Sequence, residues 1–300
     1  IALLLGLVIL VIFCCKKQQP VGFPPGPAAM PVLGNILQMD FSNPLKDLQK
    51  FSEVYGPVYS IYLGFTPAVV VRGLKSIKEV LVNKGTDFAG RPQNRITDVI
   101  SKSKGLVVAP YGQAWKEHRR FTLSTLRSFG LGKKSMEDRI QEENMHLIQA
   151  FKNSKDVVFA FLGKVVEEHK ETLLPGEPRD YIDCYLEELK KKCHEEIDRV
   201  FGNKNCLEYE DRERMPYTQA VLQEVQRHAS VVPLGVSHSP IRDVHLNGFF
   251  IPKGTVIITD LSSVHYDKTH WKYPHEFNPE NFLNENGELI KTEAFLPFSA

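Results

Sequence analysis

The sequence predicts a mainly α chain with small β-sheets, an α+β fold. Three observations lead there. Apolar residues recur at helical spacing through several charged stretches. Only short runs, such as Val58 to Leu63, alternate as strands do. Glycine and proline punctuate the remainder, which reads as turns and a proline-rich meander.

Bulk properties narrow the class. A chain of 300 residues can bury one large core or two smaller ones. Its 42% apolar and 24% charged residues are ordinary globular values. A net charge of +1 gives no reason to expect a nucleic-acid partner. Cys14, Cys15, Cys184, Cys193 and Cys206 show no C-x-x-C spacing and no paired histidines, so neither a disulfide framework nor a zinc site is indicated. No N-x-[ST] sequon occurs either, and a reducing, cytosol-facing location fits best.

Ile1 to Cys15 is an uninterrupted apolar run, shorter than the roughly 20 residues that cross a bilayer. The chain opens on isoleucine rather than methionine, so the expectation is that its true N-terminus lies upstream. Lys16 and Lys17 place the following end in the cytosol. A cleaved signal peptide would want charge before the run and small residues after it. Residues 1–19 are therefore read as a truncated membrane anchor, 20–31 as a proline-rich hinge, and 32–300 as the folded domain. Proline fixes φ and removes a donor, so Pro20 to Pro31 is stiff and extended.

Pro44 to Tyr55 has helical spacing and is stopped by Gly56-Pro57. Val58 to Leu63 and Ala68 to Val71 read as paired strands around Gly64 to Pro67, and Leu74 to Lys84 as a second helix ended by Gly85. Gly112 to Ser128 and Ser135 to Phe151 are charged helices. Phe249 to Ile251 and Thr255 to Leu261 flank Pro252-Lys253-Gly254 and read as a hairpin. Tyr266 to Leu283 is the meander.

The chain is organised around M-P-Y-T-Q-A-V-L-Q-E-V-Q-R, Met215 to Arg227. Pro216 suits a first helical turn, and Val221, Leu222 and Val225 form an apolar stripe. Glu224 and Arg227 share a face and can pair. About 50 residues on comes F-N-P-E-N-F (Phe277 to Phe282), and the chain closes with F-L-P-F-S (Phe295 to Ser299). Trp115 and Arg119, at i and i+4 in W-K-E-H-R-R-F, place an indole N–H and a guanidinium on one helix face, donors suited to a carboxylate. Taken alone, they also fit a basic amphipathic face with one buried tryptophan.

Together these motifs resemble the cytochrome P-450 superfamily of haem-thiolate monooxygenases, in its microsomal family 2 type, with the chain incomplete against the family's pattern. The E-x-x-R resembles the family's helix K signature, F-N-P-E-N-F its P-E-R-F segment with Asn281 in the arginine's place, and F-L-P-F-S the start of the loop F-x-x-G-x-R-x-C-x-G. On that pattern Phe298 is the loop's first position and the axial cysteine falls beyond Ala300, so no metal ligand and no catalytic residue is assigned within the chain. Pro24-Pro25-Gly26-Pro27 resembles the microsomal hinge.

The resemblance implies a haem cofactor. It implies that Arg91 of D-F-A-G-R-P, Trp115, Arg119 and His238 hold the haem propionates. It also implies that Val231, Val232, Leu234 and Val236 line a substrate pocket. The implied partners are NADPH-cytochrome reductase, a lipophilic small-molecule substrate and the endoplasmic reticulum membrane, with the bulk of the chain on the cytosolic face. Lys116, His118, Arg120 and Lys133 offer a basic docking surface for an acidic redox partner, or simply a solvated face.

Two departures qualify the resemblance. From Lys152 the chain moves directly to a stretch similar to helix G (Phe159 to Thr172), without the helices expected between. After Leu189 comes a stretch similar to helix J (Lys190 to Gly202), yet no [AG]-G-x-[DE]-T-[TS] precedes it. That missing motif belongs to the family's oxygen-activating helix. The departures also admit a non-catalytic, membrane-tethered splice product that binds lipid or reductase.

Overall fold

The computed structural model describes residues 19–93, 102, 104–130, 140, 142–143, 145–146, 192–202 and 208–299. The expected anchor run, the helix G-like stretch and most of the helix from 135 to 151 lie outside these residues. In chain order the elements are α1 (Pro44–Tyr55), β1 (Val58–Leu63), β2 (Thr66–Arg72) and α2 (Leu74–Lys78), which continues as a wider turn through Glu79–Asn83. Then come α3 (Gln113–Ser128), α4 (His194–Phe201), α5 (Pro216–Ala229), β3 (Val244–Leu246), β4 (Phe249–Ile251), β5 (Val256–Asp260) and α6 (Ser262–His265). The chain divides into two compact units. One comprises residues 1–119, 229–274 and 293–300, the other 120–228 and 275–292.

In the first unit, α1 begins where Asn43 accepts a hydrogen bond from the Lys46 amide and Pro44 takes the first turn. Gly56, at φ 91°, ends it. β1 and β2 pair antiparallel from Val58↔Val71 to Leu63↔Thr66, turning at Gly64 with φ 62°. β2 then pairs parallel with β5 (Ala68↔Val256 to Arg72↔Asp260), so the sheet order is β1-β2-β5. Leu48, Tyr59, Ile61, Ala68 and Val70 form the core beneath it, with Leu234, Val256 and Ile258 packed alongside. The Tyr59 hydroxyl donates to the Leu48 carbonyl at 2.8 Å, which satisfies the polar end of a fully buried ring. A buried ion pair, Arg72–Asp260 at 2.7 Å, joins the ends of β2 and β5.

The hairpin expected between Phe249 to Ile251 and Thr255 to Leu261 does not form. Phe249–Ile251 pairs instead with Val244–Leu246. The turn is Asn247-Gly248, at φ 50° and 84°. Two consecutive positive-φ residues make the tight turn whose twist matches paired strands, and Asn-Gly is its strongest sequence signal. Pro252-Lys253-Gly254 does turn the chain, but it delivers β5 to the far sheet. There the apolar run V-I-I suits a strand covered on both faces.

The proline-rich segment is stiff, as expected, but it is also docked. The Ser60 amide and hydroxyl donate to the carbonyls of Pro25 (2.7 Å) and Pro24 (2.8 Å), and the Phe250 amide donates to Gly22 at 2.7 Å. Gly26 lies so close to β1 that a Cβ there would collide with the Ser60 carbonyl. Gly26→Ala is therefore expected to cost about 1–3 kcal/mol, the usual scale of overpacking. The readout is a lowered urea midpoint, and an unchanged midpoint would mean that this contact carries no stability.

In the second unit, Glu196 of α4 caps α5. Its carboxylate accepts from the Tyr217 amide (3.2 Å), the Thr218 amide (2.8 Å) and the Thr218 hydroxyl (2.7 Å). An acidic group at a helix start satisfies orphan N–H donors and opposes the helix dipole.

Candidate functional site: a donor cluster and a buried clamp

The first unit gathers the expected carboxylate donors. Ala89 and Gly90 bridge to Ser239, which brings Arg91 beside His238. Arg91 Nε donates to the Val107 carbonyl at 2.9 Å, and Trp115 Nε1 donates to the neighbouring Leu106 carbonyl at 2.9 Å. The loop at Arg91 and the start of α3 thus send donors to the carbonyls of two successive residues, Leu106 and Val107. Arg119 lies on α3 one turn beyond Trp115, and its guanidinium sits 5.4 Å from the indole centroid. Arg119 is exposed, and α3 has no buried residue.

His238 is partly buried and uncharged. Burial first, and the Arg91 cation second, push its pKa down from 6.5 to about 4. Its Nδ1 lies 2.9 Å from the Phe88 carbonyl, which can only accept, so the ring proton sits on Nδ1. Nε2 then carries a lone pair, and it donates to a carboxylate only when the ring takes up a second proton. Burial likewise lowers the pKa of Arg91.

Arg91, Arg119 and Trp115 could hold the carboxylates of a haem as donors, and His238 could do so only once protonated. Two guanidiniums and an indole N–H are donors, and the partners of Arg91 and Trp115 are carbonyl oxygens, acceptors of the kind a propionate presents. The four residues expected to line a substrate pocket divide. Leu234 packs on the core, Val232 is half-buried, and Val231 and Val236 are 74% and 43% exposed. Cys193 is the one cysteine among the described residues and is fully buried in the second unit. No metal-binding group of His, Cys, Asp or Glu occurs among the described residues.

The second unit holds the E-x-x-R pair as a clamp. Arg227 Nε and Nη2 bind the two Glu224 oxygens at 2.7 Å each, with both side chains fully buried. Arg227 Nη2 also donates to the Glu276 carbonyl at 3.1 Å. Glu224 Oε1 accepts from the Asn278 amide (2.8 Å) and from Asn281 Nδ2 (3.2 Å). The asparagine that departs from P-E-R-F therefore still reaches the glutamate. One further buried residue, His265, was not legible in the sequence, because Ser230 and Leu296, which it meets, stand 35 and 31 positions away.

With this geometry in place, comparison with known proteins adds the following. The family model described as Cytochrome P450 matches residues 24–157 and 187–300. Cytochrome P450 2C16 of Oryctolagus cuniculus is 32% identical over 424 residues, covering 100% of this chain and 87% of its own length. Cytochrome P450 2D26 of Rattus norvegicus is 33% identical over 406 residues, covering 93% and 81%. Cytochrome P450 2C5 of Oryctolagus cuniculus is 32% identical over 424 residues, with 100% and 87% covered. An alignment of 424 residues against a chain of 300 leaves more than a hundred residues of the relative facing gaps.

Proposed function

The chain belongs to the cytochrome P-450 family, and from that premise we propose a haem-thiolate monooxygenase of lipophilic small molecules: fatty acids, steroids or xenobiotics. Electrons come from NADPH-cytochrome reductase at the cytosolic face of the endoplasmic reticulum membrane, where residues 1–19 tether the chain. The observation that carries this reading is the convergence of Arg91, Trp115 and His238, with Arg119 stacked on the indole. In this role Arg91, Arg119 and Trp115 bind and orient the propionates. His238 takes up a proton as a carboxylate reaches Nε2. Val231, Val232, Leu234 and Val236 present an apolar lining to the substrate. The haem, when bound through a cysteine thiolate, supplies the oxygen chemistry, because thiolate donation favours O–O cleavage.

A second reading concerns residues 1–300 taken by themselves. The absent [AG]-G-x-[DE]-T-[TS] stretch and the long alignment gaps favour a product that keeps the donor cluster and the tether without turnover. None of the five cysteines lies in a glycine-rich loop that would let backbone approach iron. The discriminating measurement is the reduced, carbon monoxide-bound absorption spectrum of residues 1–300 reconstituted with haem. The expected result lacks the red-shifted Soret band of thiolate ligation. A red-shifted band would overturn this second reading and bring Cys206 forward as the first cysteine to mutate.

A further inference from the structure

We propose that His265 is a positioning residue that fixes the backbone at Leu296 and so sets the start of the terminal loop. This rests on the reading that Phe295 to Ser299 opens the haem-binding loop. His265 ends α6 and is 1% exposed. α6 is itself tied to β5, because Asp260 accepts from the Ser263 amide at 3.1 Å and from the Ser262 hydroxyl at 2.5 Å. The imidazole therefore projects from a rigid corner of the sheet.

Both ring nitrogens are engaged. The Leu296 amide donates to Nε2 at 3.2 Å, so Nε2 carries the lone pair. The proton of the neutral ring then sits on Nδ1, 3.2 Å from the Ser230 hydroxyl oxygen, which accepts it. Ser230 is the residue after α5 and holds φ 39°, a left-handed conformation rare for a side chain of its kind. It is also buried. One ring thus joins the residue that follows the E-x-x-R helix to the backbone two residues before Phe298. Ala294 and Leu296 are both buried. A buried amide that loses its acceptor keeps its full desolvation penalty, so the loop cannot shift at this point without cost.

Amide hydrogen exchange in the 300-residue chain tests the contact. His265→Phe fills the space and offers no acceptor. His265→Gln offers a carbonyl oxygen near the Nε2 position. Exchange at Leu296 is expected to speed up roughly ten- to a hundredfold in His265→Phe, the scale of one unsatisfied buried N–H. It should slow again in His265→Gln, with the β1 and β2 amides unchanged in both. An unmoved Leu296 amide in His265→Phe would overturn the proposal. A second readout is the carbon monoxide spectrum of haem-loaded full-length protein. His265→Phe is expected to lose intensity in the thiolate band and His265→Gln to recover it. A band that stays at full strength while Leu296 exchanges fast would overturn the positioning role. Absence of that band from the unsubstituted full-length protein would sink the haem-loop reading, while the exchange result would still uphold His265 as the residue that fixes Leu296.

Discussion

Glu224→Ala is expected to destabilise the second unit by about 3–5 kcal/mol, the cost of leaving its buried partner charge unpaired. Arg227 is fully buried, and the substitution would strip it of both 2.7 Å bonds. The Asn278 amide and Asn281 Nδ2 would lose their acceptor in the same step. Glu224→Gln should recover little. One amide oxygen can serve the asparagines, but the amide nitrogen then faces a guanidinium, donor against donor. A hydrophobic replacement of both residues should fail as well, because Asn278, Asn281 and the Glu276 carbonyl would remain in place with those bonds gone. Urea unfolding followed by circular dichroism checks all three variants. A Glu224→Ala midpoint equal to that of the unsubstituted chain would show that the pair does not hold α5 to 276–281.

The second large effect is a loss of stability in mild acid at His238. Its folded pKa of about 4 lies below the 6.5 of the unfolded chain. Above pH 6.5 neither state binds the proton, so the full stability is present. As pH falls from 6.5 towards 4, the unfolded chain takes up a proton that the native ring refuses, and stability drops. A depression of that size corresponds to a loss of up to about 3 kcal/mol. Burial is the larger cause and Arg91 the smaller, so Arg91→Gln should recover only part of it. His238→Gln should make the stability profile between pH 6.5 and 5 shallower, leaving the slope that His228 contributes through its own burial-lowered pKa. A profile in that range that is identical with and without His238 would show that the ring titrates freely. A carboxylate arriving at Nε2 supplies the opposite charge and should raise this pKa towards 6.5, which shortens the acid limb and reduces the loss.

Much of the molecule was legible from residue order alone. Periodicity located α1, β1, β2, α3 and α5, because an element that packs on one face repeats its apolar residues at its own period. The pairing of Glu224 with Arg227 followed from i, i+3 spacing on one helix. The motifs that carry the family resemblance were equally local, and so was the i, i+4 placement of Trp115 and Arg119 on one helix face.

Tertiary structure alone decided what depends on distant partners. The same spacing that pairs Glu224 with Arg227 fits an exposed surface pair, and only the covering segment 276–281 makes it a buried clamp. Phe249–Ile251 could pair forwards or backwards by its composition, and the φ values at Asn247 and Gly248 chose backwards. β5 joins β2 across nearly 190 residues, a parallel pairing that no local pattern encodes. The docking of Pro24 and Pro25 on Ser60, the neutral state of His238 beside Arg91, and the bridge from Ser230 through His265 to Leu296 share one cause. Each depends on burial and on hydrogen-bond direction, and neither exists until the chain has folded.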